Sequence, residues 1–113
     1  MTEKAFQKML LEAVDSTLAS LGNSARQSVY YHLEKKYDIS RDKIPSRIED
    51  FDHGLEQIFG VGTRFLEVMM MKKLYEEMDS KGKILRLDQR KEFNFVDYVR
   101  AAESTYLRTK KRK

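Results

Sequence analysis

Apolar residues recur along most of this chain at the three-to-four spacing of a helix, and polar residues fill the positions between them. Phe6, Met9, Leu10, Ala13, Val14, Thr17, Leu18 and Leu21 form one such face. Lys4, Lys8, Glu12 and Asp15 take the opposite side, and Gly22 supplies a stop. Ser24-Ala25-Arg26-Gln27 has the spacing of a capping box, in which a serine and a glutamine each satisfy a free amide of the first turn. A second helix burying Val29, Tyr30, Leu33 and Tyr37 is expected to follow. The stretch Asp38–Lys43 reads as a loop, with Ile39 and Ile44 anchored in the core. Pro45 precedes another capping-box pattern, Ser46-Arg47-Ile48-Glu49, and predicts a third helix. Its buried side is Ile48, Phe51, Leu55, Ile58 and Phe59, and its end is Gly60.

The fourth segment, from Thr63 to about Asp79, departs from this pattern. Phe65, Leu66, Val68, Met69, Met70, Met71, Leu74, Tyr75 and Met78 spread around most of the helix circumference. A helix apolar nearly all round lies at the centre of a bundle or is shared with a partner. Methionine is unbranched and polarisable, which suits an adaptable surface. Four short helices do not readily cover nine apolar positions, so one edge is expected to self-associate. The edge Leu66, Met70 and Leu74 is the expected interface of a two-fold dimer.

Residues 83–93 fit either a short extended segment or a packed loop, through Ile84, Leu85 and Leu87. Asn94 is placed to cap a last helix with Phe95, Val96, Val99, Ala102 and Tyr106 on one face. The whole reads as an all-α, compact bundle of four to five helices spanning residues 1–107, followed by a disordered basic C-terminal tail at 108–113.

Charge and composition sharpen this outline. At 113 residues the chain suits one domain, since two pieces would be too small to bury a core. Residues 1–82 carry 12 Lys and Arg against 14 Asp and Glu, whereas residues 83–113 carry 10 against 4. Basic character therefore belongs to the C-terminal quarter. Arg108, Lys110, Lys111, Arg112 and Lys113 are candidate nucleic-acid contacts of the salt-dependent, phosphate-directed kind. A solubilising tail explains them equally. With no cysteine, a disulfide framework, a thiolate zinc site and a cysteine nucleophile are excluded. The chain opens Met1-Thr2-Glu3-Lys4 and passes straight into an amphipathic pattern, so a cytoplasmic location is expected and no membrane span.

Candidate chemistry is sparse. Glu49, His53 and Glu56 share one helical face, but no Glu-x-x-His motif accompanies them. A solvated acidic face is the expected reading, and neither metal nor cofactor is expected. Gly60, Gly62, Thr63 and Arg64 precede a helix, where free amides and the helix dipole can hold an anion. A tight corner explains the same residues, with Gly60 as left-handed cap and Thr63 as the next N-cap. The helix–glycine–helix at residues 18–35 is outwardly like a helix-turn-helix reader. Val29 and Leu33 stand seven and eleven positions after Gly22, however, which is the wrong register for that core.

Leu18-Ala19-Ser20-Leu21-Gly22, Tyr30-Tyr31-His32-Leu33-Glu34, Ile58-Phe59-Gly60-Val61-Gly62 and Leu66-Glu67 together resemble a small archaeal domain family of unknown function. It is also called Nitrosopumilus output domain five. The resemblance covers about residues 5–80 and implies an archaeal, cytoplasmic helical domain that in some cases serves as the output end of a signalling protein. It supplies no catalytic residue to transfer. The expected function is a non-enzymatic helical interaction module, a homodimer or partner-binding protein. The alternative is a nucleic-acid-associated protein using the basic C-terminal segment.

Overall fold

The computed structural model describes residues 2–78 and 94–111, and the side chains of 3–78 and 94–108. Among the described residues, five α-helices follow in order: α1 (Thr2–Ala19), α2 (Asn23–Tyr37), α3 (Ile48–Phe59), α4 (Thr63–Glu77) and α5 (Phe95–Lys111). Short 3-10 turns at Arg41–Lys43, Pro45–Arg47 and Gly60–Gly62 join them, and no strand occurs among the described residues. The expected all-α bundle is what forms.

The core grows from the apolar faces already visible in the sequence. Phe6, Leu10, Ala13, Val14, Thr17 and Leu18 of α1 are buried, and their main neighbour is α4. α4 also packs against α3 and α5, so it sits among three helices. Phe51 and Leu55 of α3 and Phe95, Val99 and Ala102 of α5 complete the interior. The rings of Phe51 and Phe95 lie 6.2 Å apart. Ile39 and Ile44 are buried as expected. Ile58 and Phe59 are half-buried against the core, and Leu21 is exposed because α1 ends at Ala19, short of the expected stop.

Several helix ends differ from expectation. α2 begins at Asn23, and neither Ser24 nor Gln27 makes a capping bond, because Gly22 occupies the cap with φ 110°. The Ser46 box does not form either. Pro45 starts a 3-10 turn, whose geometry directs the Ser46 hydroxyl back to the Lys43 carbonyl at 3.0 Å. Asn94 caps α5 as expected, its Oδ1 accepting from the Asp97 amide at 3.1 Å. α5 continues through Lys111, so the tail expected from Arg108 onward is helical backbone as far as Lys111. Arg112 and Lys113 lie outside the described residues, as do Asp79, Gly82 and the ambiguous segment 83–93.

Two polar clusters tie the elements together. Asp15 of α1 accepts hydrogen bonds from the Tyr30 hydroxyl of α2 and from Arg41, whose Nε lies 3.0 Å from Oδ2. Burial opposes ionisation of Asp15, but those bonds and the guanidinium charge outweigh it and hold the carboxyl below its usual range. The Tyr30 hydroxyl is pushed upward by burial and by the Asp15 carboxylate. Arg47 closes the end of α2, donating to the carbonyls of Asp38 at 2.6 Å and Tyr37 at 3.2 Å while pairing with Asp50. These carbonyls are orphaned at a helix C-terminus, where a cation is also favoured by the dipole.

Candidate interaction face and acidic cleft

At 100° per residue, Thr63, Leu66, Glu67, Met70, Met71 and Leu74 fall in one arc of α4, and all of them are buried. The edge expected to form a dimer is therefore core. Leu66, Met70 and Leu74 are 7%, 0% and 0% exposed within a single chain, where α1, α3 and α5 cover them.

The opposite arc carries Phe65, Val68, Met69 and Lys72, and Val61 stands one turn before Phe65. Phe65 is 80% exposed and Val61 fully so. Val68 and Met69 are half-buried. The outward side of α4 exposes Phe65, half a turn from the expected edge.

Beside it opens a cleft of about 460 Å³, lined by Asp52 and Glu56 of α3, Gly60, Val61, Thr63, Arg64 and Glu67 around the start of α4, and Asn94 and Phe95 of α5. Glu67 belongs to the buried arc and is 6% exposed. Burial, a hydrogen bond with Asp52 and the charges of Asp52 and Glu56 push its carboxyl up to about 10, against a smaller opposing influence of Arg64. Glu67 is therefore protonated at neutral pH. Its Oε2 has no hydrogen-bond partner among the described residues.

The expected anion corner meets this cleft. Gly60 is the left-handed cap of α3, at φ 59°, with its amide on the Glu56 carbonyl. Thr63 makes no capping bond. Its hydroxyl is turned inward and donates to the Leu55 carbonyl at 3.1 Å, tying α4 to α3. Arg64 is exposed. Three carboxyl side chains face this one guanidinium across the cleft, a poor electrostatic setting for an anion.

The remaining candidates separate. Glu49 pairs with Arg100 of α5 at 3.3 Å, and His53 meets the edge of Tyr37 at 6.1 Å. Among the described residues, no three His, Asp or Glu side chains are arranged to hold a metal ion. Arg108 is exposed on the last part of α5, while Tyr106 packs on Phe6 at 5.9 Å. Two features escaped the sequence pattern: the Val61–Phe65 surface and the buried Glu67. Helical-wheel arithmetic groups Glu67 with Met70 and Met71 and sets Phe65 opposite, but it does not say which side faces in.

Comparison with known proteins finds no matching family model, curated protein or solved structure. Among the described residues, no helix is long and apolar enough to cross a membrane.

Proposed function

We propose that this chain is a non-enzymatic helical interaction module that self-associates through the outward face of α4. The exposure of Phe65 beside Val61 carries the reading. Burying a phenylalanine side chain is worth about 1.5–3 kcal/mol, and a rigid helix presents this one without the cost of ordering a loop. Lys72, farther along the same arc, gives the apolar patch the polar rim of an interface. The precisely placed polar groups have structural tasks: Asp15, Tyr30 and Arg41 join α1 to α2, Arg47 closes α2, and Thr63 fastens α4. The resemblance to a family of signalling output domains points the same way, toward a cytoplasmic regulatory role.

Phe65→Glu places like charges across a two-fold contact while leaving the core untouched. Light scattering at tens of micromolar is expected to give a dimer for the wild type and a folded monomer for Phe65→Glu. A monomeric wild type would overturn the reading.

A further inference from the structure

The outward side of α2 takes no part in the core, and its chemistry differs from that of α4. We propose that it binds single-stranded nucleic acid, with a base stacked on Tyr31 and phosphates held by Lys35, Lys36 and the groove that α2 forms with α3.

Tyr31 stands 61% exposed in the middle of α2. Lys35, one turn on, holds its ammonium 5.7 Å from the ring centroid. Among the described residues no second ring lies against Tyr31. A ring with a cation at one face keeps the other as a platform, and every base has a π-face to lay on it. Lys35, His32 and Lys36 fall on one flank of Tyr31, about 40°, 100° and 140° round the helix. Ser24 and Ser28 lie on the same flank in the preceding turns, and all five side chains are exposed. The strip from Ser24 to Lys36 runs about 18 Å. Glu34 falls about 60° to the other side, toward Tyr30.

Toward α3 the strip opens into a groove of about 210 Å³, lined by His32, Lys36, Tyr37, Gln57 and Ile58. That volume is below the usual range of small-molecule pockets and suits a single group such as a phosphate. Neither Glu34 nor Asp38, the acids nearest in sequence, lines it. His53, one turn before Gln57, sets a second imidazole beside Tyr37. The acids of α3 are committed elsewhere. Asp50 pairs with Arg47, Glu49 pairs with Arg100, and Asp52 and Glu56 line the cleft shared with α4 and α5. Charge is thus sorted across α3, and the side toward α2 is left to donors.

The exposed ring decides the partner. An acidic peptide would engage the cations and leave Tyr31 idle, whereas a nucleic-acid strand carries a flat base beside each phosphate. A duplex keeps its base faces stacked, so the ring favours unpaired bases. α2 packs on α1 and α3, so the site does not depend on whether the protein self-associates through α4.

Fluorescence anisotropy of fluorescein-labelled dT15 with the full chain, at 50 and 200 mM sodium chloride, tests the site. The expected result is saturable binding that weakens as salt rises. Tyr31→Ala should weaken it at least fivefold, the low end of what one base–aromatic stack contributes, and Tyr31→Phe should leave it nearly unchanged. Lys35→Gln with Lys36→Gln should lower the log–log salt slope by about 1.4, from two contacts at about 0.7 each on a single strand. These positions are exposed, and circular dichroism checks that each variant is folded. A full-length variant with Arg108, Lys110, Lys111, Arg112 and Lys113 changed to glutamine separates this face from the basic C-terminus. Binding by that variant that still depends on Tyr31 supports the proposal. Absence of binding at 50 mM salt overturns it, as does loss of binding in the C-terminal variant or unchanged affinity in Tyr31→Ala. Competition by poly-glutamate as strong as by dT15 also overturns it, in favour of an acidic peptide, and equal competition by duplex DNA overturns the stacked base.

Discussion

Glu67 shares its buried arc with Thr63, Leu66, Met70, Met71 and Leu74, and it keeps that place as a neutral acid. The unfolded chain ionises this carboxyl near its ordinary value of 4.5, whereas the folded chain holds the proton up to about 10. Between those values the folded state binds the extra proton, so its contribution is full below pH 4.5 and is lost as pH rises toward 10. Urea denaturation at pH 5.5 and 8.5 should show the wild type weakening relative to Glu67→Gln, which should be the more stable protein at pH 8.5. Parallel pH profiles for the two would contradict the assignment. Gly54 is the other residue whose role lies in its surroundings. A methyl group there would stand 2.6 Å from a terminal carbon of buried Leu33, with Tyr37 at 3.4 Å. Alanine favours a helix by about 1 kcal/mol, but overpacking costs about 1–3 kcal/mol. Gly54→Ala should therefore lower the thermal midpoint, and a rise would show that α2 and α3 can part cheaply.

At the scale of elements, the helices follow from apolar spacing, while their junctions follow from contacts distant in sequence. Phe6, Leu10, Val14 and Leu18 announce α1, and Asn94 announces the start of α5, because both signals are local. The boxes at Ser24 and Ser46 mislead for a physical reason. Gly22 and Pro45 set the backbone just before each, and that backbone gives the serines no first-turn amide to accept from. Arg47 shows what local reading misses, since its partners at Asp38 and Tyr37 lie nine and ten residues back. Arg47→Ala removes those bonds from a partly exposed position, and a loss of about 1 kcal/mol is expected in urea denaturation. An unchanged midpoint would mean that Asp38, at φ 56°, ends α2 without help.

Across the whole molecule, α4 is the element on which both the fold and the proposed function turn. Its eight apolar positions, Phe65 to Tyr75, could not be apportioned from spacing alone, because a nearly uniform helix gives no preferred face. Packing makes the assignment. α1, α3 and α5 cover the arc through Met70, leaving Phe65 and Val61 outside, and the α3–α4 corner brings Asp52 and Glu56 to Glu67. Neither the outward face nor the cleft has a local sequence signature, since each requires knowing which side of α4 faces in.

The most direct test compares two glutamate substitutions on this one helix, Met70→Glu and Phe65→Glu, by circular dichroism melts and light scattering. Met70→Glu should lose the cooperative melt, because it buries a charge where the side chain is fully enclosed. Phe65→Glu should melt cooperatively and scatter as a monomer, beside a dimeric wild type. A folded, monomeric Met70→Glu together with a dimeric Phe65→Glu would contradict the account, placing the contact on the edge assigned to the core.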